Sequence, residues 1–278
     1  EVLEVKLDNR KTKSLDSGND KVNQNKTVDL ASSQNKDKTK KYSSLTKIQI
    51  TFLCNRHKGI GADGLILINS DEFSDFQMQY FNSDGKESSL CGNGARCAVA
   101  FTHAKKIISH STTFFAVDGL HTATYNSPLE VQLEMKDVNE LSKTDNGLLI
   151  NTGSPHYIRL VDDIQTIDVE KEGASIRYSN SFLPNGINVN FVEKVDSKHF
   201  KIRTYERGVD GETLACGTGA VAVALGMHYL KESEGAKELV ILAKGGDLKI
   251  SFEVTEDKYH QIFLKGPATY VFSGKVEL

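Results

Sequence analysis

A nine-residue segment occurs twice in this chain in related form, and this repeat constrains the fold more than any other feature of the sequence. Residues 87–95 read Glu-Ser-Ser-Leu-Cys-Gly-Asn-Gly-Ala, and residues 212–220 read Glu-Thr-Leu-Ala-Cys-Gly-Thr-Gly-Ala. The Glu, the Cys, both glycines and the last Ala share an offset of 125 positions, which also pairs Tyr80 with Tyr205. The chain therefore contains two related halves.

Each repeat places a cysteine immediately before a predicted helix. Small and apolar residues follow each Gly-x-Gly turn and predict helices over 95–105 and 220–231. Cys91 and Cys216 would then lie at helix N-termini, where unpaired N–H groups and the helix dipole favour an anion. Such a position lowers the pKa of a thiol and also binds a carboxylate.

This arrangement predicts the geometry of a two-base racemase. If the halves pack about a pseudo-twofold axis, the two cysteines face each other across a cleft that holds an amino acid by its α-carboxylate. One thiolate would remove the α-proton and the opposite thiol would return another, while the helix N–H groups stabilise the enolate-like intermediate. A single Cys before Gly-x-Gly is more often a small buried residue. Two copies in register favour the functional interpretation, although an ancient duplication with one decayed site would also give this pattern.

Composition limits the alternatives. A chain of 278 residues suits one large or two medium domains, and the duplication favours two. The net charge of −3 gives no electrostatic reason to expect nucleic acid or an anionic membrane as a partner. Without a long apolar run or a signal-peptide pattern, we expect a soluble cytoplasmic protein.

The four cysteines indicate neither a disulfide framework nor a zinc site. Their spacing is irregular, and Cys91 with Cys97 lacks the short Cys-x-x-Cys spacing of zinc ligands. We therefore predict no metal. Cys54 and Cys97 lack the Gly-x-Gly context and are interpreted as structural.

The remaining pattern predicts short strands and few helices, hence an α+β fold. Period-two alternation indicates strands over 75–81 and 200–205, each leading through a loop to a cysteine helix. Further strands are predicted over 65–69, 113–117, 129–135, 187–192, 239–242, 248–252 and 261–264. The expected architecture is two pseudo-symmetric domains, each a curled sheet around a central helix, with the active site in the cleft between them. Residues 8–44 are polar and are predicted to be loop-like.

Motifs from about Leu53 to the C-terminus, taken together and in order, resemble the diaminopimelate epimerase family. They are Arg56-His57-x-Gly-Ile-Gly-Ala-Asp63-Gly64, Asn82-Ser83-Asp84-Gly85, Cys91-Gly-Asn-Gly-Ala-Arg-Cys97, Gly153-Ser154-Pro155-His156, Asn188 within Gly-Ile-Asn-Val, Glu206-Arg207-Gly208, Ala215-Cys-Gly-Thr-Gly-Ala220 and Gly266-Pro267-Ala268.

The resemblance implies a known chemistry and a known domain plan. Family members interconvert LL- and meso-diaminopimelate without pyridoxal phosphate or metal, in lysine and peptidoglycan precursor synthesis. Their last strand returns to the first of two pseudo-symmetric α+β domains. The corresponding domains here would be residues 1–125 with 265–278, and residues 126–264.

The resemblance also implies roles for individual residues. Cys91 and Cys216 would be the two acid/base thiols, with His156 and Glu206 near them to tune their protonation. Four residues would offer backbone N–H groups to the reacting carboxylate: Gly92, Asn93, Gly217 and Thr218. The other substrate contacts would be Asn82, Asn188 and Arg207 at the distal carboxylate and amine, and Glu206 at the reacting amine. Arg suits bidentate carboxylate binding.

Three positions depart from the family pattern. Ser154 stands where many members have Asn, and Gly64 stands where many have Gln. The family opens with Gly-x-Gly-Asn-Asp-Phe, and of this motif only Gly18-Asn19-Asp20 is recognisable here. Asn19 and Ser154 are included among the candidate substrate contacts on the strength of the resemblance alone.

Other interpretations apply to some of these residues and to the function of the chain. Asn82 could serve turn geometry, Glu206-Arg207 could be a solvated ion pair, and a His after Pro is commonly a surface-loop residue. A two-cysteine isomerase of proline or hydroxyproline would not need residues for a second charged end. A thiol redox protein would favour Cys-x-x-Cys, and a non-catalytic binding protein would not need both thiols. The expected partner is a small-molecule amino acid, without cofactor, nucleic acid or membrane, and a homodimer is considered as the assembly.

Overall fold

The computed structural model describes the backbone of Val2–Leu3, residues 45–88 and 90–274, and residues 276 and 278. In this part of the chain the helices are α1 (Lys47–Cys54), α2 (Gly92–Ala104), α3 (Val169–Arg177) and α4 (Gly217–Tyr229), with a short 3-10 helix at Ile164–Thr166. Sheet dominates, so the predicted α+β class is confirmed. Asn19 and the predicted loop over 8–44 lie outside the described residues.

The strands are numbered in chain order. They are β1 (Val2–Leu3), β2 (Gly64–Asn69), β3 (Phe76–Asn82), β4 (Ser111–Ala116), β5 (Gly119–Ser127), β6 (Glu130–Met135), β7 (Leu141–Thr144), β8 (Gly147–Asn151), β9 (Pro155–Leu160), β10 (Asn188–Lys194), β11 (His199–Glu206), β12 (Gly211–Thr213), β13 (Glu238–Ala243), β14 (Gly246–Thr255) and β15 (Lys258–Gly266).

The described residues divide into two compact units. The first runs to Val131 and includes the segment from Pro267 to Leu278, and the second is Gln132–Gly266. The family resemblance predicts domain limits at 125/126 and 264/265. These limits, and the pseudo-symmetric relation of the two domains, remain predictions.

In the first unit, α2 packs on a sheet whose strand order is β1-β2-β3-β4-β5. The β2 and β3 strands are antiparallel, with Leu65 opposite Phe81, and β3 pairs with β4 in parallel. Residues of α1 and the loop after it, including Leu53 and Ala62, pack with Leu65 in an apolar cluster. Phe81 of β3 also packs against this cluster. The cluster thus positions the end of β3, where Asn82 is the last residue before the segment that leads to α2.

In the second unit, α4 is the central helix of a sheet with strand order β6-β15-β14-β13-β11-β10-β9-β8-β7, and β12 pairs with β11. Every residue from Gly219 to Met227 is buried. A helix that is apolar on all sides requires this environment. The prediction that the second cysteine helix is wrapped by its own half is therefore confirmed.

Both cysteine helices begin three residues earlier than predicted. The sequence predicts turns at the Gly-x-Gly segments, yet Gly92 and Gly217 are the first residues of α2 and α4. The two glycines and the residue between them thus form the first helical turn. Each cysteine consequently lies directly at the N-terminus of its helix.

Helix α3 packs against the end of β11, and we predict that this contact tolerates no added methyl group. A Cβ on Gly173 would lie 2.4 Å from the Cβ of Tyr205 and 2.6 Å from its Cγ. These atoms are close to the backbone and cannot rotate away. Although Gly→Ala within a helix normally gains about 1 kcal/mol, Gly173→Ala should lower the free energy of unfolding by roughly 1–3 kcal/mol.

Urea unfolding would measure this difference. Ser175→Ala, at an exposed position of the same helix, is the matched control and should be neutral or slightly stabilising. Equal or greater stability for Gly173→Ala than for wild type would contradict the packing described here.

Candidate active site

Cys91 and Cys216 are the N-cap residues of α2 and α4. Both have an extended backbone, with φ of −93° and −114°, and their carbonyls accept the first helical N–H bonds, from Ala95 at 2.8 Å and Ala220 at 2.9 Å. Cys91 is half-buried, Cys216 is buried, and neither forms a disulfide. Each sulfur therefore lies beside the positive end of a helix.

The first turn of each cysteine helix offers backbone N–H groups to an anion. The first N–H groups of a helix have no acceptor within it and can bind an anion. In α2 these groups belong to Gly92 and Asn93, and in α4 to Gly217 and Thr218. The predicted carboxylate donors are thus N-terminal helix residues.

A chain of hydrogen bonds leads to the sulfur of Cys216. The Sγ lies 3.5 Å from Thr218 Oγ1, which lies 3.0 Å from Nε2 of His156. The other ring nitrogen, Nδ1, lies 3.1 Å from Nδ2 of Asn190. Thr152 Oγ1 donates to the carbonyl of Thr218 at 2.9 Å and fixes the helix end on the β8–β9 turn.

His156 is fully buried on β9, which excludes the surface-loop alternative. Burial, together with the positive charge of Arg207, lowers its pKa from 6.5 to about 3, although the hydrogen bond with Asn190 partly opposes this. His156 is therefore neutral near pH 7. It can donate or accept a hydrogen bond beside Cys216, but it does not bring a positive charge to the thiol.

Asn188, at the start of β10, links two other candidates. Its Nδ2 donates to Ser154 Oγ at 2.7 Å and to the Pro155 carbonyl at 3.0 Å, while its Oδ1 accepts from the Arg207 N–H at 2.8 Å. The amide therefore uses both of its N–H groups within the protein. Asn188 positions Ser154 and Arg207, and its direct contact with a substrate remains a prediction.

Glu206 and Arg207 end β11 and begin an exposed loop. Glu206 is half-buried and the Arg207 side chain is exposed. The loop is held at its far end, where Arg177 Nε on α3 lies 2.7 Å from Asp210 Oδ1. Arg207 is thus anchored through its backbone while its guanidinium reaches outward.

The acidic residue of the second repeat has a structural role that the sequence did not reveal. Glu212 Oε1 and Oε2 accept from Arg203 Nε and Nη2 at 2.7 and 2.8 Å, and Lys244 Nζ lies 2.7 Å from Oε1. These contacts, with Arg203 first, hold the pKa of Glu212 below its usual value. The pair anchors β12, the strand that leads to Cys216. The equivalent Glu87 of the first repeat is exposed.

In the first unit, Asn82 ends β3 at a tight turn. Its backbone N–H donates to the Lys86 carbonyl at 2.9 Å, and its carbonyl accepts from Gly85, which has a φ of +78°. Turn geometry therefore accounts for part of the Asn82-Ser83-Asp84-Gly85 motif. The side chain of Asn82 is half-buried, and its contact with a substrate remains a prediction.

The departure at Gly64 has a steric explanation. A Cβ there would lie 2.5 Å from Cε2 of Tyr80 and 2.7 Å from the Phe81 carbonyl. The ring of Tyr80 therefore occupies the space that a longer side chain at position 64 would need. The Arg56 and Asp63 side chains of the same motif form an ion pair in the loop before β2.

Arg96, a residue that the sequence did not single out, lies buried near the start of α2. Its Nη2 donates to Asn93 Oδ1 at 2.9 Å, its Nη1 to the Gly92 carbonyl at 3.3 Å, and its Nε to the Pro267 carbonyl at 3.3 Å. Burial lowers its pKa, and the charges of Cys97 and Cys91 oppose that shift. A guanidinium group therefore interacts favourably with a thiolate at Cys91. The sequence signal that could have identified Arg96 was its place in the motif Cys-Gly-Asn-Gly-Ala-Arg-Cys.

Cys54 differs from the two N-cap cysteines. Burial first, and then the negative charge of Asp63, raises its pKa to about 11 against the opposing effect of Arg56. It is a protonated thiol in an apolar cluster. This favours the structural interpretation of Cys54.

The described residues form neither a metal-binding cluster nor a membrane-spanning helix. In that part of the chain, no group of three or more His, Cys, Asp or Glu residues is arranged to hold a metal ion. None of its helices is long and apolar enough to cross a membrane.

Comparison with solved structures defines the class of fold. A phenazine biosynthesis protein of the PhzF family from Bacillus anthracis matches with a TM-score of 0.62 and 18% identity, covering 77% of this chain and 84% of its own. A hydroxyproline epimerase from Agrobacterium vitis matches with a TM-score of 0.52 and 15% identity, covering 82% and 83%. The chain therefore has the fold shared by these two proteins.

Comparison of sequences defines the family. The diaminopimelate epimerase model matches residues 23–139 and 148–271. The diaminopimelate epimerase of Flavobacterium psychrophilum is 49% identical over 220 residues, which cover 79% of this chain and 86% of that protein. This chain belongs to the diaminopimelate epimerase family, as its motifs predicted.

The buried neutral His156 should give the protein a specific dependence of stability on pH. The unfolded chain protonates this residue near pH 6.5, but the folded chain does so only at about 3. The unfolded state therefore binds more protons between these values, so stability is complete above pH 6.5 and falls as the pH drops toward 3. The contribution is about 1.4 kcal/mol per pH unit.

Urea unfolding of wild type and His156→Gln at pH 7, 6 and 5 would measure this contribution. The variant should be less stable at pH 7 but lose less stability on acidification. His110→Gln, at an exposed histidine, should keep the wild-type pH dependence. Parallel pH curves for wild type and His156→Gln would show that His156 is not held neutral.

Proposed function

We propose that this chain is an isomerase that interconverts LL- and meso-diaminopimelate by transferring protons at one α-carbon between two thiols. The observation that carries the proposal is that Cys91 and Cys216 each cap a helix whose first turn is Gly-x-Gly. An amino acid is a small-molecule substrate that fits an epimerase. Membership of the family supports a role in lysine and peptidoglycan precursor synthesis.

The reaction requires one base and one acid on opposite faces of the α-carbon. One cysteine, as the thiolate, takes the α-proton, and the electron pair of the C–H bond passes into the adjacent carboxylate to give an enolate-like intermediate. The other cysteine, as the thiol, then protonates the opposite face of the same carbon. Each turnover leaves the two sulfurs with exchanged protonation states. The predicted cleft between the two domains would supply this facing arrangement.

The N-termini of α2 and α4 would stabilise the negative charge on the carboxylate of the intermediate. The donors would be the backbone N–H groups of Gly92, Asn93, Gly217 and Thr218, which lie in the first turns of these helices. Charge at this carboxylate increases as the proton leaves, so fixed donors favour the intermediate over the bound substrate. Glu206 would accept a hydrogen bond from the reacting amine.

Specificity for diaminopimelate would come from the distal end of the substrate. Arg207 presents an exposed guanidinium on an anchored backbone, and Asn188 ties that backbone to Ser154. The Arg would pair with the distal carboxylate. Because Ser154 Oγ accepts from Asn188, its hydroxyl hydrogen is directed to another acceptor. Asn82 would complete this end, and Asn19 is a further proposed contact.

We expect the loss of either catalytic thiol to abolish epimerisation. Purified protein with LL-diaminopimelate in deuterium oxide should form meso product that carries one deuterium at the inverted α-carbon, because the returning thiol exchanges with solvent. Cys91→Ala and Cys216→Ala should each lower turnover at least about a hundredfold, since each removes an acid or a base.

Cys97→Ala, which changes another half-buried cysteine of α2, is the matched control and should retain turnover. Stereoisomer ratios by chiral chromatography and deuterium content by mass spectrometry give the result. Near wild-type turnover by either of the first two variants would refute the two-base assignment.

We expect Arg207 to determine which amino acid is accepted. Arg207→Ala should weaken diaminopimelate turnover severely, because truncating one partner of a charge pair that becomes buried on binding costs on the order of 2–5 kcal/mol. The thiols should still react with a small alkylating agent. Lysine, which has the distal amine but lacks the distal carboxylate, should be a poor substrate of the wild-type protein.

Lys258→Ala removes an exposed positive charge elsewhere in the second unit and should leave the preference unchanged. Efficient epimerisation of lysine, or an unaltered preference in Arg207→Ala, would remove the basis for the substrate assignment. The same assay with proline and hydroxyproline tests the related isomerase activity.

We place this reaction in the cytoplasm, because two thiols that must remain reduced are stable there. The homodimer remains a prediction, and sedimentation velocity of the purified protein would measure it.

A further inference from the structure

Asn190 on β10 is a fully buried amide whose orientation is fixed by its neighbours. Its Nδ2 lies 3.1 Å from the Tyr157 carbonyl, which can only accept a hydrogen bond. Its Oδ1 accepts from Thr204 Oγ1 at 3.0 Å. The amide nitrogen, a donor only, is therefore on the side that faces Tyr157 and His156.

This orientation selects one tautomer of His156. Nδ2 of Asn190 lies 3.1 Å from Nδ1 of His156 and has only hydrogens to offer. Nδ1 must therefore carry the lone pair. Since the buried ring is neutral, its single proton is on Nε2.

The proton on Nε2 sets the direction of the next two hydrogen bonds. Nε2–H donates to Thr218 Oγ1 at 3.0 Å, so this hydroxyl oxygen acts as the acceptor. The hydroxyl hydrogen of Thr218 is then available to Cys216 Sγ, 3.5 Å away. Thr152, through the Thr218 carbonyl, prevents the helix end from moving away.

We propose that Asn190 and the Thr218 hydroxyl are positioning residues which, through a single tautomer of His156, keep a hydrogen-bond donor directed at the sulfur of Cys216. A donor stabilises the thiolate form of Cys216 relative to the thiol. The inference rests on the proposed function in assigning acid/base work to Cys216. It adds a role for Asn190 and for the Thr218 side chain, separate from the Thr218 backbone N–H that would bind the carboxylate.

The second glycine of the repeat makes room for this chain. A Cβ on Gly219 would lie 2.7 Å from Asn190 Oδ1 and 3.3 Å from Cys216 Sγ. Gly94, its equivalent in the first repeat, instead faces the side-chain ends of Ile66 and Met78 at 3.3 and 3.4 Å. The polar contact at Gly219 therefore belongs to the second thiol.

The tautomer can be tested directly by nitrogen-15 NMR of histidine-labelled protein at neutral pH. The His156 signals are assigned by their loss in His156→Gln. Wild type should show Nε2 protonated and Nδ1 unprotonated. Asn190→Asp, whose carboxylate accepts where the amide donates, should place a proton on Nδ1. A proton on Nδ1 in wild type, or an unchanged His156 signal in folded Asn190→Asp, would overturn the proposal.

The consequence for the thiol can be tested by alkylation with iodoacetamide at fixed pH, which reports the fraction of thiolate. In a Cys91→Ala background, Thr218→Val should slow modification of Cys216 about tenfold or more, as expected for loss of a hydrogen bond to a charged group. Thr218→Ser keeps the hydroxyl and should restore the rate. Thr218 is only half-buried, so these variants are expected to fold.

In a Cys216→Ala background, Thr218→Val should leave modification of Cys91 unchanged. An unaltered Cys216 rate in Thr218→Val, or an equal loss in Thr218→Ser, would overturn the proposal. None of these measurements requires turnover of diaminopimelate. If the substrate were not epimerised, the proposed function would fail while the NMR and alkylation results would still decide the hydrogen-bond chain.

Discussion

The chemistry proposed here depends on a physical constraint: a helix N-terminus held in a packed interior with a cysteine at its cap. The unpaired N–H groups of such a helix must find a partner, and burial removes water as the competitor. Gly92 and Gly217 are buried at these positions, directly after the cysteines. In α4 the burial continues from Gly219 to Met227. The fold thus provides two helix N-termini that favour binding of an anion, either a thiolate or a carboxylate.

The duplication preserved this backbone feature but not its surroundings. Beside Cys91, position 96 is a buried arginine whose charge interacts favourably with a thiolate. At the equivalent position of the second repeat the residue is Val221, and Cys216 has instead the neutral chain through Thr218 and His156. A buried charge thus lies near Cys91, and a hydroxyl dipole lies within hydrogen-bond distance of Cys216. A racemase needs its two bases to work alternately, but they need not be stabilised in the same way.

The sequence predicted the cysteine helices and the strands before them because their signals are local. Strict alternation predicted β3 and β11, and the small-residue runs predicted α2 and α4. The starts of α2 and α4 were placed too late, since Gly-x-Gly is more typical of a turn than of a buried first turn. Helix α1 was missed because Ile48 and Ile50 favour a strand. Its signal was the capping box of Thr46 and Gln49.

Other features could not be predicted because they depend on contacts between distant residues. Asn188 and Asn190 are two positions apart on β10. Asn188 forms hydrogen bonds with Ser154 and Arg207. Asn190 instead forms one with His156. In the sequence both are asparagines of one short apolar strand. In the register of β9 and β10, Asn188 lies opposite His156 and Asn190 lies opposite Ile158. The two asparagines therefore meet different partners on β9. Likewise, the role of Glu212 in the second repeat depends on its ion pair with Arg203 on β11.

The neutrality of His156 follows from its place in this network and limits what it can do. A second positive charge near Arg207, placed on a fully buried ring, would be unfavourable, and the pKa of about 3 reflects burial first and that repulsion second. A group with so low a pKa is a weak base, so His156 is poorly suited to take the proton from Cys216. Towards Thr218 it acts as a hydrogen-bond donor through Nε2–H. Under the proposed mechanism, the proton on Cys216 is then exchanged with the substrate or with solvent, and the two thiols remain the acid and the base.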